Sequence, residues 1–232
     1  MDTEPTAGRV VLVPTPIGNL GDITLRALEV LRGADRIACE DTRHSARLLN
    51  HYEISGKPLM ALHDHNEARK AEVLVAAALA GETIAVISDA GMPGISDPGF
   101  RLVRACREAG VPVDVLPGPS AVPTALIASG LPCHAFRFGG FLPMKSGKRR
   151  NALADALATG ETAIFFESPH RIAGTLEMLA ELAPEATVCV ARELTKKFET
   201  LHRGGAAELA AAFKDRAAKG EIVLLFHRDA GM

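Results

Sequence analysis

Short apolar, β-branched runs alternate with helical stretches from Val10 onward, and three of those runs end in loops rich in proline and glycine. A strand–helix rhythm of this kind buries apolar strands under layers of helix, so an α/β architecture with a mostly parallel sheet is expected. Residues 10–13 lead into Pro14-Thr15-Pro16-Ile17-Gly18-Asn19-Leu20, and residues 111–116 into Pro117-Gly118-Pro119-Ser120-Ala121. The longest loop, 88–99, reads Ser-Asp-Ala-Gly-Met-Pro-Gly-Ile-Ser-Asp-Pro-Gly and follows the apolar run 84–87. A plain crossover takes only about two to six residues. Glycine lets main chain approach a ligand or take positive φ, and proline freezes the surrounding path. Open α/β sheets hold small molecules at the carboxyl ends of their strands. The three loops are therefore read as a cofactor cradle made mostly of main chain.

The rest of the rhythm is regular. Asp22 is placed as the cap of a helix whose apolar positions are Ile23, Ala27, Leu28 and Leu31. Strands are expected at 36–39 and 59–62, with helices through Leu48 and Leu49 and over 67–80, 100–109 and 122–129. Composition changes after Gly130, and 136–143, with Gly139-Gly140, reads as a hinge. Two α/β domains follow, 1–130 with the cofactor loops and 131–232 closing over a ligand in the cleft between them. Helices over 148–157, 169–182 and 206–216, and strands at 162–166, 187–191, 199–203 and 221–226, are expected in the second.

Bulk properties exclude several function classes. A formal charge of -2 over 232 residues argues against a chain coated in positive charge for indiscriminate nucleic-acid binding. The first nine residues do not form a secretion signal, and no stretch approaches the ~18 apolar residues of a membrane span. A soluble, cytoplasmic chain is expected. Cys39, Cys106, Cys133 and Cys189 are widely spaced in apolar or strand-like surroundings, which suits reduced packing cysteines. No phosphate loop, Gly-x-Gly-x-x-Gly or Gly-x-Ser-x-Gly is present. His63-Asp64-His65 offers two imidazoles, but no partner spacing supports zinc, so no metal is expected.

The ordered motifs carry more than any one of them. Val13-Pro14-Thr15-Pro16-Ile17-Gly18-Asn19-Leu20, Glu40-Asp41-Thr42-Arg43-His44, His63-Asp64-His65-Asn66-Glu67 and 88–99 are followed by Pro117-Gly118-Pro119-Ser120 and Gly140-Phe141-Leu142-Pro143. Phe166-Glu167-Ser168-Pro169-His170-Arg171, Ala191-Arg192-Glu193-Leu194-Thr195-Lys196 and Lys219-Gly220-Glu221-Ile222-Val223 complete the series. This set resembles the tetrapyrrole methylase superfamily, and within it the bacterial branch that methylates the ribose 2'-hydroxyl of a decoding-region cytidine in 16S ribosomal RNA. The resemblance runs from residue 10 to 225. It implies S-adenosyl-L-methionine in a cleft between two α/β domains, a homodimer, and 16S rRNA of the small ribosomal subunit as partner. Cofactor contacts carried over from it are Pro14 and Ile17; Gly91, Met92, Pro93, Ile95 and Ser96; Ser120 and Ala121; and Phe166, Ala191 and Glu221. Many relatives have threonine at the position of Met92 and leucine at that of Gly94.

Methyl transfer to a ribose hydroxyl needs alignment of oxygen, carbon and sulfur, and a group to take the proton or offset charge on the oxygen. Candidates at expected strand ends are Glu40, Asp41, His63, His65, Glu167, His170, Glu193 and Lys196. Asp41 or Glu167 is favoured as base, with Arg43 and Lys196 orienting phosphate or stabilising charge. Lys145, Lys148, Arg149 and Arg150 are read as contacts for the RNA backbone. Phe141 is expected in the core rather than stacked on a base. A methylase of a tetrapyrrole precursor on the same scaffold is the nearest rival, and a non-catalytic S-adenosylmethionine or RNA binder is the rival from another class.

Overall fold

The computed structural model describes residues 8–214 and 219–228, which divide into two compact units, 1–120 and 121–232. In the first, strands β1 (Arg9–Leu12), β2 (Arg36–Cys39), β3 (Leu59–Ala61), β4 (Thr83–Ile87) and β5 (Val113–Val115) alternate with helices α1 (Leu25–Gly33), α2 (Thr42–His51), α3 (Glu67–Leu79) and α4 (Phe100–Glu108). All strand pairs are parallel, in the order β3-β2-β4-β1-β5. Period-two burial explains the layers. Val10 and Leu12 join one apolar cluster with Leu74 of α3 and Leu102 of α4. Their alternates Val11 and Val13 join another with Ala27 and Leu31 of α1 and Leu49 of α2.

The strand order carries the functional consequence. From β1 the chain leaves through α1 toward β2, and from the adjacent β4 it leaves through α4 toward β5. The two helices cover opposite faces. β1 and β4 thus flank the topological switch point, where open α/β sheets form a crevice.

The cap of α1 differs from the sequence expectation. Asn19 caps a short 3₁₀ helix, Leu20–Asp22, and Thr24 caps α1 by accepting from the Ala27 amide at 3.0 Å. The threonine hydroxyl stands at the point where the chain turns helical, two residues beyond Asp22.

The second unit contains α5 (Ala121–Ser129), β6 (Phe136–Phe141), α6 (Ser146–Leu157), β7 (Thr162–Glu167), α7 (Ile172–Leu182), β8 (Thr187–Arg192), β9 (Thr200–Gly205), α8 (Ala206–Phe213) and β10 (Ile222–His227). The last part of the expected helix 206–216 lies outside the described residues. Its sheet runs β6-β7-β10-β8-β9 and is mixed: only β6 and β7 are parallel. Leu153 of α6, Leu176 of α7 and Phe213 of α8 share one core with Phe165, Val190 and Leu224 of the sheet. The expectation of a boundary at 130 places α5 with the first unit. In the structure α5 belongs to the second, because it packs on β8, β9 and β10.

Residues 136–143 are not a hinge: most of them form β6, the edge strand. Its two glycines disguise it. A Cβ on Gly139 would lie 2.1 Å from Cε1 of Phe165, so the strand backbone rests directly on that ring. Gly140 takes φ +69 where the register with β7 shifts between Phe138 and Phe141. Strand glycines often mark such close approaches and bulges. Phe165 is buried and stacks on Phe226 at 5.9 Å. Gly139→Ala is expected to destabilise this unit by about 1–3 kcal/mol through overpacking, read as a lower urea midpoint with unchanged m-value.

Cys39, Cys106 and Cys189 are buried as expected, whereas Cys133 is exposed on the segment before β6. Among the described residues no helix is long and apolar enough to cross a membrane.

Candidate active site

The three proline- and glycine-rich loops leave the carboxyl ends of β1, β4 and β5, which are neighbours in the first sheet. The first two are joined directly. Thr15 and Gly91 exchange backbone hydrogen bonds of 2.9 and 3.0 Å, and the buried Thr15 hydroxyl donates to the Ser88 carbonyl at 3.2 Å. Gly91 has φ +82, and a Cβ there would come within 3.2 Å of Cγ2 of Ile17. A Cβ on Gly118 of the third loop would lie 2.7 Å from Cβ of Pro14. The loops therefore meet through backbone and proline rings, with no room for larger side chains at the junctions.

The 88–99 loop is anchored at its far end by a side chain from another helix. Glu67, 4% exposed, accepts at Oε1 from the amides of Gly99, Arg101 and Leu102 at 2.8, 2.9 and 3.2 Å. Within the loop Pro93 is buried, Met92 half-buried, and Ile95 and Ser96 exposed. Ser96 holds φ +63. Gly94 has φ +86 and nothing closer than 3.9 Å to a Cβ, so space is present but an L side chain is strained. Ser120 and Ala121 stand half-buried at the end of the third loop.

Acidic side chains gather at the same strand ends. The Asp41 amide donates to Oδ1 of Asp89 at 3.2 Å. Asp41 itself caps α2, accepting from the Arg43 amide at 2.8 Å. The amides of Arg43, first, and of His44, which donates to the same oxygen at 3.4 Å, hold its carboxyl below the ordinary range. Burial, then Asp89, raises Glu40. Asp97, one of two aspartates in the 88–99 loop and not among the candidate catalytic residues, joins them. Burial, reinforced by Glu40 and then by Asp89 and Asp64, pushes it up to about 6 against a lowering hydrogen bond with Ser88.

Between its ordinary 3.8 and about 6 the folded chain keeps the Asp97 proton that the unfolded chain releases. Stability therefore falls as pH rises through that window. Asp97→Asn is expected to flatten this part of the profile and to be stabilising at pH 7, measured by urea unfolding at pH 4 and pH 7.

His63 and His65 lie 6.1 Å apart. Nε2 of His63 faces the Asn66 amide nitrogen at 2.9 Å, which leaves Nδ1 buried without a partner among the described residues.

In the second unit the carboxyl ends of β7 and β8 meet the start of β10. Ile222 is in register with both Glu167 and Arg192, and Phe141 with Phe166. Phe166, Glu167, Ala191 and Glu221 therefore share one end of the sheet. Glu167 has no exposed side-chain surface, and Arg171 pairs with it at 2.6 Å. It also accepts from the Ser168 amide at 2.6 Å and the Thr175 hydroxyl at 2.8 Å. Its oxygens brace the turn into α7. His170, exposed in that turn, donates its amide to the Ser168 hydroxyl at 3.3 Å.

Lys196 is held differently. Its Nζ lies 3.0 Å from both Oε1 of Glu193 and Oε2 of Glu221. Burial pulls its pKa down, but the hydrogen bonds to Glu221 and Glu193 outweigh this and leave it raised. Glu193 is lowered, first by the Glu221 amide and then by Lys196, against an opposing burial effect.

The basic run before and within α6 is not uniform. Lys145 and Lys148 are exposed. Arg150 pairs with Glu181 at 2.6 Å. Arg149 is only 9% exposed, and its Nε and Nη1 have no partner among the described residues. The structure thus turns one of the four cations inward. Arg43, in the first unit, is exposed and 3.7 Å from Asp41. Phe141 is 63% exposed rather than in the core, because the bulge swings the end of β6 outward, and its ring packs edgewise on Phe166 at 5.2 Å.

The sequence profile of the Tetrapyrrole (Corrin/Porphyrin) Methylases matches residues 9–210. The ribosomal RNA small subunit methyltransferase I of Vibrio cholerae is 57% identical over 95% of this chain and 78% of its own length. The chain belongs to the tetrapyrrole methylase family, in its ribosomal RNA small subunit methyltransferase I branch. A protein of that name from Hydrogenobaculum is 46% identical and is matched over 96% of its length. Solved tetrapyrrole-methylase folds superpose well: the methyltransferase CobJ with a TM-score of 0.69 at 21% identity over 97% of both chains. Diphthine synthase superposes with a TM-score of 0.71 at 15% identity, over 94% of this chain and 89% of its own. These two share the fold. Family membership makes this chain a methyltransferase.

Proposed function

We propose that this chain transfers the methyl group of S-adenosyl-L-methionine to the ribose 2'-hydroxyl of a cytidine in the decoding region of 16S rRNA. The observation that carries the reading is the junction of three main-chain loops at the switch point of the first sheet. The relatives' shared name, which specifies small-subunit ribosomal RNA, supports the substrate. The rival reading, a tetrapyrrole precursor, is disfavoured by that name and by the Pro-Thr-Pro-Ile-Gly-Asn first loop.

The loops suit the cofactor. Glycines at 91 and 118 remove side chains where the loops touch, so the main chain of the loops can come close to a nucleoside and an amino acid. Glu40, Asp89 and Asp97 place negative potential at the same strand ends, which favours a cationic sulfonium. Pro14, Ile17, Gly91, Met92, Pro93, Ile95, Ser96, Ser120 and Ala121 are assigned to cofactor binding, with Phe166, Ala191 and Glu221 from the second unit. When bound, the cofactor supplies an electrophilic methyl carbon whose bond to sulfur breaks as the bond to the ribose oxygen forms.

This chain's residues hold the groups in line and manage the proton. A carboxylate at the strand ends of the first unit accepts the hydroxyl proton. Asp97, pushed up to about 6, is better matched to that role near neutral pH than Asp41, whose helix cap keeps it ionised. Glu167 stays a brace rather than a base. Lys196 offsets charge on the oxygen or an adjacent phosphate. Arg43, Lys145 and Lys148 take the RNA backbone, with Arg150 shared with Glu181. The reading includes a homodimer working in the cytoplasm on the small subunit.

The test is transfer of a labelled methyl group from S-adenosylmethionine to small subunits lacking the modification, followed by mapping of ribose methylation. Label at a cytidine 2'-oxygen of the decoding region is expected. Label on a base, or cofactor binding without transfer, would refute the reading. Lys145→Gln with Lys148→Gln is expected to lower the salt slope of RNA binding by about 1.4, roughly 0.7 per phosphate contact on single strands. An unchanged slope returns both lysines to solvated surface.

A further inference from the structure

Two of the non-glycine residues with left-handed backbone, Glu193 at φ +55 and Thr195 at φ +66, fall in one turn after β8. Such conformations persist where surrounding contacts over-determine them, and they cluster at functional positions. Here the contacts converge on one carboxylate. Oε1 of Glu193 accepts from the Glu221 amide at 2.8 Å and from Nζ of Lys196 at 3.0 Å. The Glu193 side chain is 18% exposed, while Glu221, the second partner of Lys196, is 75% exposed. The neighbouring strand connection is shaped around the same atom. Gly220 holds φ +88, and a Cβ on it would lie 2.3 Å from Oε1 of Glu193. The glycine leaves the volume that the carboxylate occupies.

We infer that Glu193, seated in the space left by Gly220, is a positioning residue that fixes the Lys196 ammonium in place for methyl transfer. The inference rests on the reading of Lys196 as part of the catalytic machinery. An ammonium has three N–H donors. Glu193 and Glu221 engage two, which leaves a third for a developing alkoxide or a phosphate oxygen. The two carboxylates have different parts: the sheltered Glu193 sets the position of the ammonium, while Glu221 is exposed to solvent and ligand. The left-handed turn from Glu193 to Lys196 brings the lysine back onto the residue three positions before it, closed by the Lys196 amide donating to the Glu193 carbonyl at 3.0 Å.

The test uses the full chain with Glu193→Gln, Gly220→Ala and Lys196→Met, alone and as the Glu193→Gln/Lys196→Met pair. The Lys196 amine is followed by nitrogen-detected NMR titration, its signal assigned by loss in Lys196→Met. Glu193→Gln is expected to move that titration to lower pH and to lower kcat about tenfold with little change in KM for S-adenosylmethionine. The loss should deepen toward alkaline pH, where the lysine now deprotonates sooner. Gly220→Ala, which removes neither charge but places a Cβ in the volume of the Glu193 carboxylate, is expected to shift the titration the same way. It also guards against a folding defect in the first variant. Glu193→Gln is expected to add nothing to Lys196→Met. An unmoved titration in both variants overturns the proposal, as does an undiminished effect of Glu193→Gln in the Lys196→Met background. Wild-type kcat in Lys196→Met instead refutes the catalytic reading of the lysine, while the titration still decides whether Glu193 holds it.

Discussion

Replacing Glu67 by alanine is expected to cost the first unit about 3 kcal/mol and to weaken cofactor binding with it. The residue that begins α4, Gly99, has no side chain to cap the helix. Glu67 does so from α3, its buried carboxylate accepting from three amides. Hydrogen bonds to charged groups contribute about 1.5–3 kcal/mol each, though not additively, and buried donors left unpaired add a desolvation cost. A negative charge at a helix N-terminus gains further from the aligned peptide dipoles. Glu67→Gln retains an acceptor oxygen but loses the charge, so it should fall between wild type and alanine. Urea unfolding gives the stability, and calorimetric titration with S-adenosylmethionine gives the binding. Loss of under about 0.5 kcal/mol in Glu67→Ala, a bound set by ordinary surface substitutions, would mean that the loop is held by other means.

The second large effect is on turnover. Lys196→Met keeps most of the side-chain volume and removes the charge, and kcat for RNA methylation is expected to drop by about 10²–10³, the usual loss for one preorganised charge-stabilising donor. Cofactor affinity should change less than turnover, because the three proline- and glycine-rich loops assigned to the cofactor do not include Lys196. Single-turnover transfer with saturating cofactor separates the two quantities. Lys196→Arg should recover only part of the rate, since a planar guanidinium does not reproduce the point contact to Glu193. A rate within threefold of wild type in Lys196→Met would remove the lysine from the chemistry.

The alternation of short strands with helices was legible because burial on both faces demands continuous apolar runs, such as 10–13 and 84–87. The loops were legible because proline and glycine are chemically conspicuous. Two kinds of feature were not. β6 was hidden by Gly139 and Gly140, whose roles, contact with the Phe165 ring and a bulge, depend on a neighbour distant in sequence. The side-chain roles were hidden because they are relations between elements. Glu167 looks like a candidate base by its place at a strand end, yet Arg171, Ser168 and Thr175 occupy its oxygens. Asp97 is inconspicuous in the chain, since only the return through β2 sets Glu40 beside it.

Residue chemistry alone settled most of the strands, helices and backbone-lined loops, β6 excepted, because periodicity and the special geometry of glycine and proline act locally. Strand order was settled by the tertiary fold, which inserts β4 between β2 and β1 and so gathers loops more than seventy residues apart in the chain around one crevice. It also decided which carboxylates are braces, which are caps and which lysine is held by two acids. Proton affinity and accessibility follow from burial and from charged neighbours, and neither is fixed until the chain has folded.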